Sequence, residues 1–107
     1  MAYLSANNGP VSGQTVELDA TTSMIGRAPD CEIQIEDFAV SRQHAKIVAE
    51  DGAFYLEDLK SRNRTYLNEK VVEDGRQRLR DNDRVTVCDV VFVFHQTDTS
   101  QQVLSTG

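Results

Sequence analysis

The chain has 107 residues and sets 17 acidic against 11 basic side chains, a formal net charge of −6 at pH 7. That length fits one domain with a single core, and the acidic balance argues against a broad nucleic-acid or anionic-membrane surface, which needs a basic field. No apolar run approaches the roughly 18 residues that span a bilayer, and Met1–Gly13 lacks the basic and apolar regions of a signal peptide.

Cys31 and Cys88 stand far apart, with no CxxC and no neighbouring histidine. A metal site is therefore not expected. The two cysteines read as reduced small hydrophobes of a cytoplasmic protein, with a Cys31–Cys88 bridge left open.

No segment holds a 3.6-residue apolar period for three turns. Short stretches of period-2 alternation recur instead, divided by turn residues. In chain order, turn signals at Asn7–Pro10 and Ser12–Gly13 precede a short apolar pair, Met24–Ile25. Ala28–Asp30 reads as a turn, and Ile33–Ile35 as a strand piece. A strand is expected over His44–Ala49, where Ala45, Ile47 and Ala49 alternate with Lys46, Val48 and Glu50. After a turn at Asp51–Gly52, Phe54 and Leu56 alternate with Tyr55 and Glu57. Beyond Ser61–Asn63 come Tyr66–Leu67 and Val71–Val72, then turns at Asp74–Gly75 and Asp81–Asp83. Val85 and Val87 alternate with Thr86 and Cys88, and Val90–Phe94 is strongly β-branched and aromatic. Many short strands with regular turns predict an all-β sandwich or barrel. Gln96–Gly107 is polar and without a core pattern, as in a tail or linker.

The polar residues that could carry chemistry fall between these strands. Gly26-Arg27 follows Met24–Ile25, Ser41-Arg42-Gln43-His44 leads into the strand at His44, and Lys60-Ser61-Arg62-Asn63-Arg64-Thr65 leads into Tyr66–Leu67. These loops hold Arg27, Arg42, Lys60, Arg62 and Arg64 and contain no Asp or Glu, so an acidic chain concentrates bare positive charge there. Brought to one end of a sandwich, they would form an anion site. Phosphate suits it: Arg offers a planar fork to two oxygens, Ser adds a compact donor, and an Asn amide can both donate to and accept from an extended peptide backbone.

These residues resemble the forkhead-associated (FHA) domain, a phosphothreonine-binding module. Gly26-Arg27, Ser41-x-x-His44, Ser61-x-Asn63-x-Thr65 with Asn68 downstream, Asn82-Asp83 and Phe92-Val93-Phe94 follow the family's motif order over about residues 1–96. The resemblance implies a sandwich of two sheets with about eleven short strands and binding loops at one end. It implies that Arg27 and Ser41 bind the phosphate, that Arg42 adds a donor, that Asn63 grips the peptide main chain, and that Arg62 lies close to the phosphothreonine. Gly26, His44, Ser61, Thr65 and Asn68 become loop supports, and Arg64 a candidate auxiliary contact. Three positions depart from the pattern. Arg64, Asn82 and Cys88 each stand where the family has glycine. At Arg64, either the loop takes another shape or strain is tolerated. Cys88 is expected to lie away from the binding loops and to affect packing only.

The expected function is thus a non-catalytic, phosphothreonine-dependent peptide- or protein-binding module in signalling, cytoplasmic and monomeric as an isolated domain. It needs no cofactor and no metal, and binds no nucleic acid or membrane. Residues 1–96 form the domain and 97–107 the tail or linker. Phosphorylation of Thr97, Thr99, Ser100 or Thr106 in the tail, or of Thr21-Thr22, would supply a ligand in cis or in trans. The alternative is an FHA fold acting as a phosphate-independent protein interface. A hydrolase built on Ser41, His44 and Asp58 lacks the Gly-x-Ser-x-Gly elbow and room for a substrate pocket. Asp58 reads instead as a partner for nearby loop amides.

Overall fold

The computed structural model describes residues 2–8, 13–18, 21–73 and 75–96. The tail from Thr97 onward, parts of the Asn7–Pro10 and Ser12–Gly13 turns, and Asp74 lie outside the described residues, and with them the tail phosphorylation positions.

Eleven strands make up the fold: β1 (Ala2–Ala6), β2 (Thr15–Glu17), β3 (Thr22–Gly26), β4 (Ile33–Gln34), β5 (Ala45–Glu50), β6 (Ala53–Asp58), β7 (Thr65–Leu67), β8 (Lys70–Val71), β9 (Arg76–Leu79), β10 (Arg84–Val87) and β11 (Val90–Gln96). They form a six-stranded sheet, β2-β1-β11-β10-β7-β8, and a five-stranded sheet, β4-β3-β5-β6-β9. Among the described residues no helix is long and apolar enough to cross a membrane.

Alternation builds the core between the sheets. Leu4, Val85, Val87, Val90, Phe92 and Phe94 point inward from one sheet. They meet Ile25, Ile33, Ile47, Leu56 and Leu79 of the other. Phe54 packs on Phe94 with ring centroids 5.6 Å apart. Burying such side chains contributes roughly 1.5–3 kcal/mol each, which is what holds two otherwise separate sheets face to face.

Hairpin turns fix the registers. Asp51-Gly52 joins β5 to β6, pairing Glu50 with Ala53, and both turn residues take positive φ (52° and 79°). This is the primed-turn chemistry that Asp-Gly favours. Asn68-Glu69 does the same between β7 and β8 (φ 50° and 72°).

The strands expected from alternation are all present: β3, β6, β7 and β11 run longer than expected, β4 is one residue shorter, and β5, β8 and β10 are shifted by one position. β1, β2 and β9 have no counterpart in the sequence reading. In β1 the inward residues include two alanines, Ala2 and Ala6, a weak apolar signal around Leu4. β2 and β9 are edge strands, and β9 reads Arg-Gln-Arg-Leu with only Leu79 buried. Edges tolerate charge, so the apolar alternation disappears there.

Candidate functional site

The loops after β3, before β5 and before β7 come together around one stretch of main chain, Phe38–Ser41. Gly26 makes the first junction. A Cβ on it would lie 2.2 Å from the Arg42 carbonyl oxygen and 2.9 Å from its carbon. Only glycine allows the two backbones to approach so closely. Across this contact the Arg27 N–H donates to the Ser41 carbonyl (3.0 Å) and the Ala28 N–H to the Arg42 carbonyl (3.2 Å).

Arg27 is thereby aimed along the loop. Its Nε donates to the Val40 carbonyl at 3.1 Å, and its guanidinium lies 6.0 Å from the ring centroid of Phe38, which is 88% exposed. No hydrogen bond within the protein engages the terminal nitrogens among the described residues. A guanidinium clamped at Nε with a free outer edge is set up for a bidentate anion.

His44 is the hub beneath. It is fully buried. Its Nδ1 accepts the Ser41 N–H at 3.1 Å, and Nε2 stands 2.8 Å from the Arg64 carbonyl. A carbonyl only accepts, so Nε2 carries the proton and the ring is the neutral tautomer. One side chain thus ties the loop before β5 to the loop before β7. The Ser41 hydroxyl does not face the ring. It accepts the Arg62 N–H at 3.0 Å, leaving its own proton to donate outward. Asp58 does not reach His44 either. Its carboxylate accepts the Ser61 N–H (3.1 Å), the Ser61 hydroxyl and the Thr65 hydroxyl (2.7 Å), Thr65 being fully buried. The contacts of a nucleophile triad are absent, and Asp58 serves the loop as expected.

Asn63 sits at the rim. Its Nδ2 donates to the Ala39 carbonyl at 2.7 Å. Arg62 donates from a terminal nitrogen to the Phe38 carbonyl at 3.3 Å. Arg42 is exposed, and among the described residues its side chain has no ion-pair partner; nor do Arg27, Lys60 and Arg62. The face is open. A hollow of about 260 Å³ is lined by Arg27 and Phe38 together with the acidic Glu36 and Asp37. A groove of about 580 Å³ on the other side is lined by Lys60, Arg62 and Arg64 and by the carboxylates of Glu57, Asp58 and Glu73.

One open alternative is decided and two expectations need correcting. Arg64 does keep the glycine-like conformation (φ 62°), so strain is tolerated. However, its charge is met by Glu73 at 3.2 Å, a residue from beyond β8 that a loop-by-loop charge count leaves out. Asn68 is not a support of the recognition loops. It pins the β7–β8 turn to the Asp83–Arg84 segment, donating to Asp83 (3.0 Å) and accepting the Arg84 N–H (2.9 Å), at the far end of β7. Cys88 is not remote: its thiol donates to the Ala39 carbonyl at 3.2 Å, the oxygen that Asn63 also uses. Both cysteines are free, and Cys31 likewise donates to a carbonyl, that of Arg42 just beyond this segment, at 3.4 Å. Cys88, Glu73 and Phe38 are residues at this face that sequence reasoning missed. For Cys88, the non-glycine residue at a two-residue hairpin turn was the available signal.

Among the described residues no group of three or more His, Cys, Asp and Glu could hold a metal ion.

Comparison with known proteins agrees with this architecture. A family model described as the FHA domain matches residues 24–88. The chain is 37% identical over 93 residues to the glycogen accumulation regulator GarA of Mycolicibacterium smegmatis, covering 87% of this chain and 58% of that protein. It is 40% identical over 65 residues to the oxoglutarate dehydrogenase inhibitor of Corynebacterium diphtheriae, covering 61% of this chain and 46% of that protein. The chain thus spans about half the length of these relatives. An FHA domain solved in a study of phosphothreonine-dependent FHA domain interactions superposes with a TM-score of 0.82 at 27% identity, covering 91% of this chain and 97% of that one.

Proposed function

Because this chain belongs to the FHA domain family, we propose that it is a non-catalytic module that binds phosphothreonine-containing peptides or proteins in signalling. The observation that carries the reading is the convergence on Phe38–Ser41. Arg27, Arg62 and Asn63 each anchor a side chain on its carbonyls, and the Ser41 hydroxyl is held by the Arg62 N–H. Their remaining donors face outward from a surface whose other cations, Arg42 and Lys60, have no acidic partner among the described residues.

In this reading the outer edge of Arg27 and the Ser41 hydroxyl take phosphate oxygens. Arg42 and Arg62 add charge, and Asn63 uses its second N–H and its Oδ1 on the ligand main chain. Gly26, His44, Ser61 and Thr65 hold the loops, so the donors are fixed before the ligand arrives. Arg64, paired with Glu73, contributes little to phosphate binding. The mechanism is binding without turnover: neither His44 nitrogen is available as a base toward Ser41. Charge-assisted hydrogen bonds contribute roughly 1.5–3 kcal/mol each, so a few support affinity near micromolar, about −8 kcal/mol. In this reading residues 1–96 constitute the module and 97–107 a tail or linker, in a reducing cytoplasmic setting that suits two free thiols.

An oriented phosphothreonine peptide library, with phosphoserine and unphosphorylated controls, tests this. Selective retention of phosphothreonine peptides is expected. Equal retention of unphosphorylated peptides would favour the phosphate-independent interface instead.

A further inference from the structure

The turn between β10 and β11 reaches into the recognition face. Cys88 is the first of the two residues that join Val87 to Val90, with φ 56°. That backbone conformation and that turn position favour glycine. A cysteine is held there nonetheless, half-buried, with its thiol 3.2 Å from the Ala39 carbonyl. The same oxygen accepts the Asn63 amide at 2.7 Å. Groups from three separate connections of the fold therefore meet at one carbonyl.

We infer that Cys88 is a positioning residue for ligand binding: its thiol fixes the Ala39 carbonyl, and through it the Asn63 amide, in the orientation that receives the peptide main chain. This rests on the role given to Asn63 above. Asn63 has two amide hydrogens and one oxygen. With one hydrogen on Ala39, the other hydrogen and the oxygen are free for the ligand only while the Ala39 peptide plane is held still. The thiol is the second donor that holds it, and it serves only while protonated. Burial, with Asp37 next in effect, pushes the Cys88 thiol up from its ordinary value, which keeps it in the donor form at neutral pH.

The test compares the wild-type chain with Cys88→Gly and Cys88→Ser. It uses three readings: melting temperature, the Asn63 side-chain amide resonances, and calorimetric affinity for a phosphothreonine peptide chosen from the oriented library. Glycine suits the positive φ, so Cys88→Gly is expected to melt no lower than wild type. Its Asn63 amide resonances shift, and affinity falls about threefold to tenfold, the worth of one neutral hydrogen bond. Cys88→Ser, which keeps a donor, binds within about twofold of wild type. Stability held while affinity falls is a split that a purely structural role does not produce. Wild-type affinity in Cys88→Gly, or unmoved Asn63 resonances, overturns the inference and leaves the proposed function standing. Stability and affinity falling together in both variants also overturns it. Failure of the wild type to bind the phosphopeptide overturns the proposed function, and the Asn63 resonances then still decide the positioning claim.

Discussion

Replacing Gly26 with alanine puts a methyl carbon 2.2 Å from the Arg42 carbonyl oxygen, 2.9 Å from the Arg42 carbonyl carbon and 3.1 Å from the Cys31 sulfur. The first two atoms are backbone and cannot swing aside. Ordinary contact requires opening the approach by about 1 Å. Overpacking of this kind costs about 2–3 kcal/mol. The opening also stretches two hydrogen bonds across the junction, from the Arg27 N–H to Ser41 and from the Ala28 N–H to Arg42. For a domain this size the melting temperature should fall by about 10–20 °C, and the urea midpoint by about 1–2 M. Because the same junction aims Arg27, phosphopeptide affinity measured below the melting transition should fall by more than about tenfold. Unchanged melting with unchanged affinity would refute the idea that this close approach sets the site.

Other changes separate support from contact. Asp58→Ala strips the acceptor from the Ser61 N–H and from the Ser61 and Thr65 hydroxyls. Chemical denaturation should register a loss of about 2–3 kcal/mol, and a stability within 0.5 kcal/mol of wild type would contradict the role given to this carboxylate. Arg64→Gly relieves a positive φ that costs a side-chain residue about 1–2 kcal/mol. It removes only an exposed ion pair with Glu73, worth about 0–1 kcal/mol. Thermal melts should therefore hold or rise, with peptide binding within about threefold of wild type; collapse of binding would make Arg64 a ligand contact. Both thiols are held above their ordinary values, chiefly by burial. The unfolded chain therefore ionises first, binds fewer protons, and stability should decline as pH rises through the thiol range. A Cys31→Ala, Cys88→Gly double variant should lose that decline, and a profile identical to wild type would count against it.

Much of this was legible in the chain itself, for identifiable reasons. Period-2 alternation marks a strand only where one face is buried and the residues are large, as in Ala45–Glu50 and Val90–Gln96. It fails at the β9 edge and over Ala2–Ala6, where charge or small side chains stand in. The residues of the proposed site could be singled out because each motif is local: Gly26-Arg27, Ser41 to His44 and Ser61 to Thr65 each lie within a few positions. What local reading missed is what the fold brings in from elsewhere. Glu73 comes back from beyond β8 to neutralise Arg64. Cys88 arrives on a hairpin 49 positions along the chain from Ala39. Asn68, adjacent in sequence to β7, is carried by the length of that strand away from the loops and toward Asp83. The net charge of −6 tells the same story in reverse: a global sum excluded a broad basic surface, yet Arg27, Arg42, Lys60 and Arg62, which have no ion-pair partner among the described residues, lie in the loops of one face.

The most direct test of the central claim is a calorimetric titration with one peptide in two forms, phosphothreonine and unphosphorylated, against the wild-type chain and Arg27→Ala. Micromolar binding of the phosphorylated form, no measurable binding of the unphosphorylated form, and at least a tenfold loss (about 1.4 kcal/mol) in Arg27→Ala are predicted. Equal affinity for both forms, or an Arg27→Ala variant that binds as tightly as wild type, would contradict it.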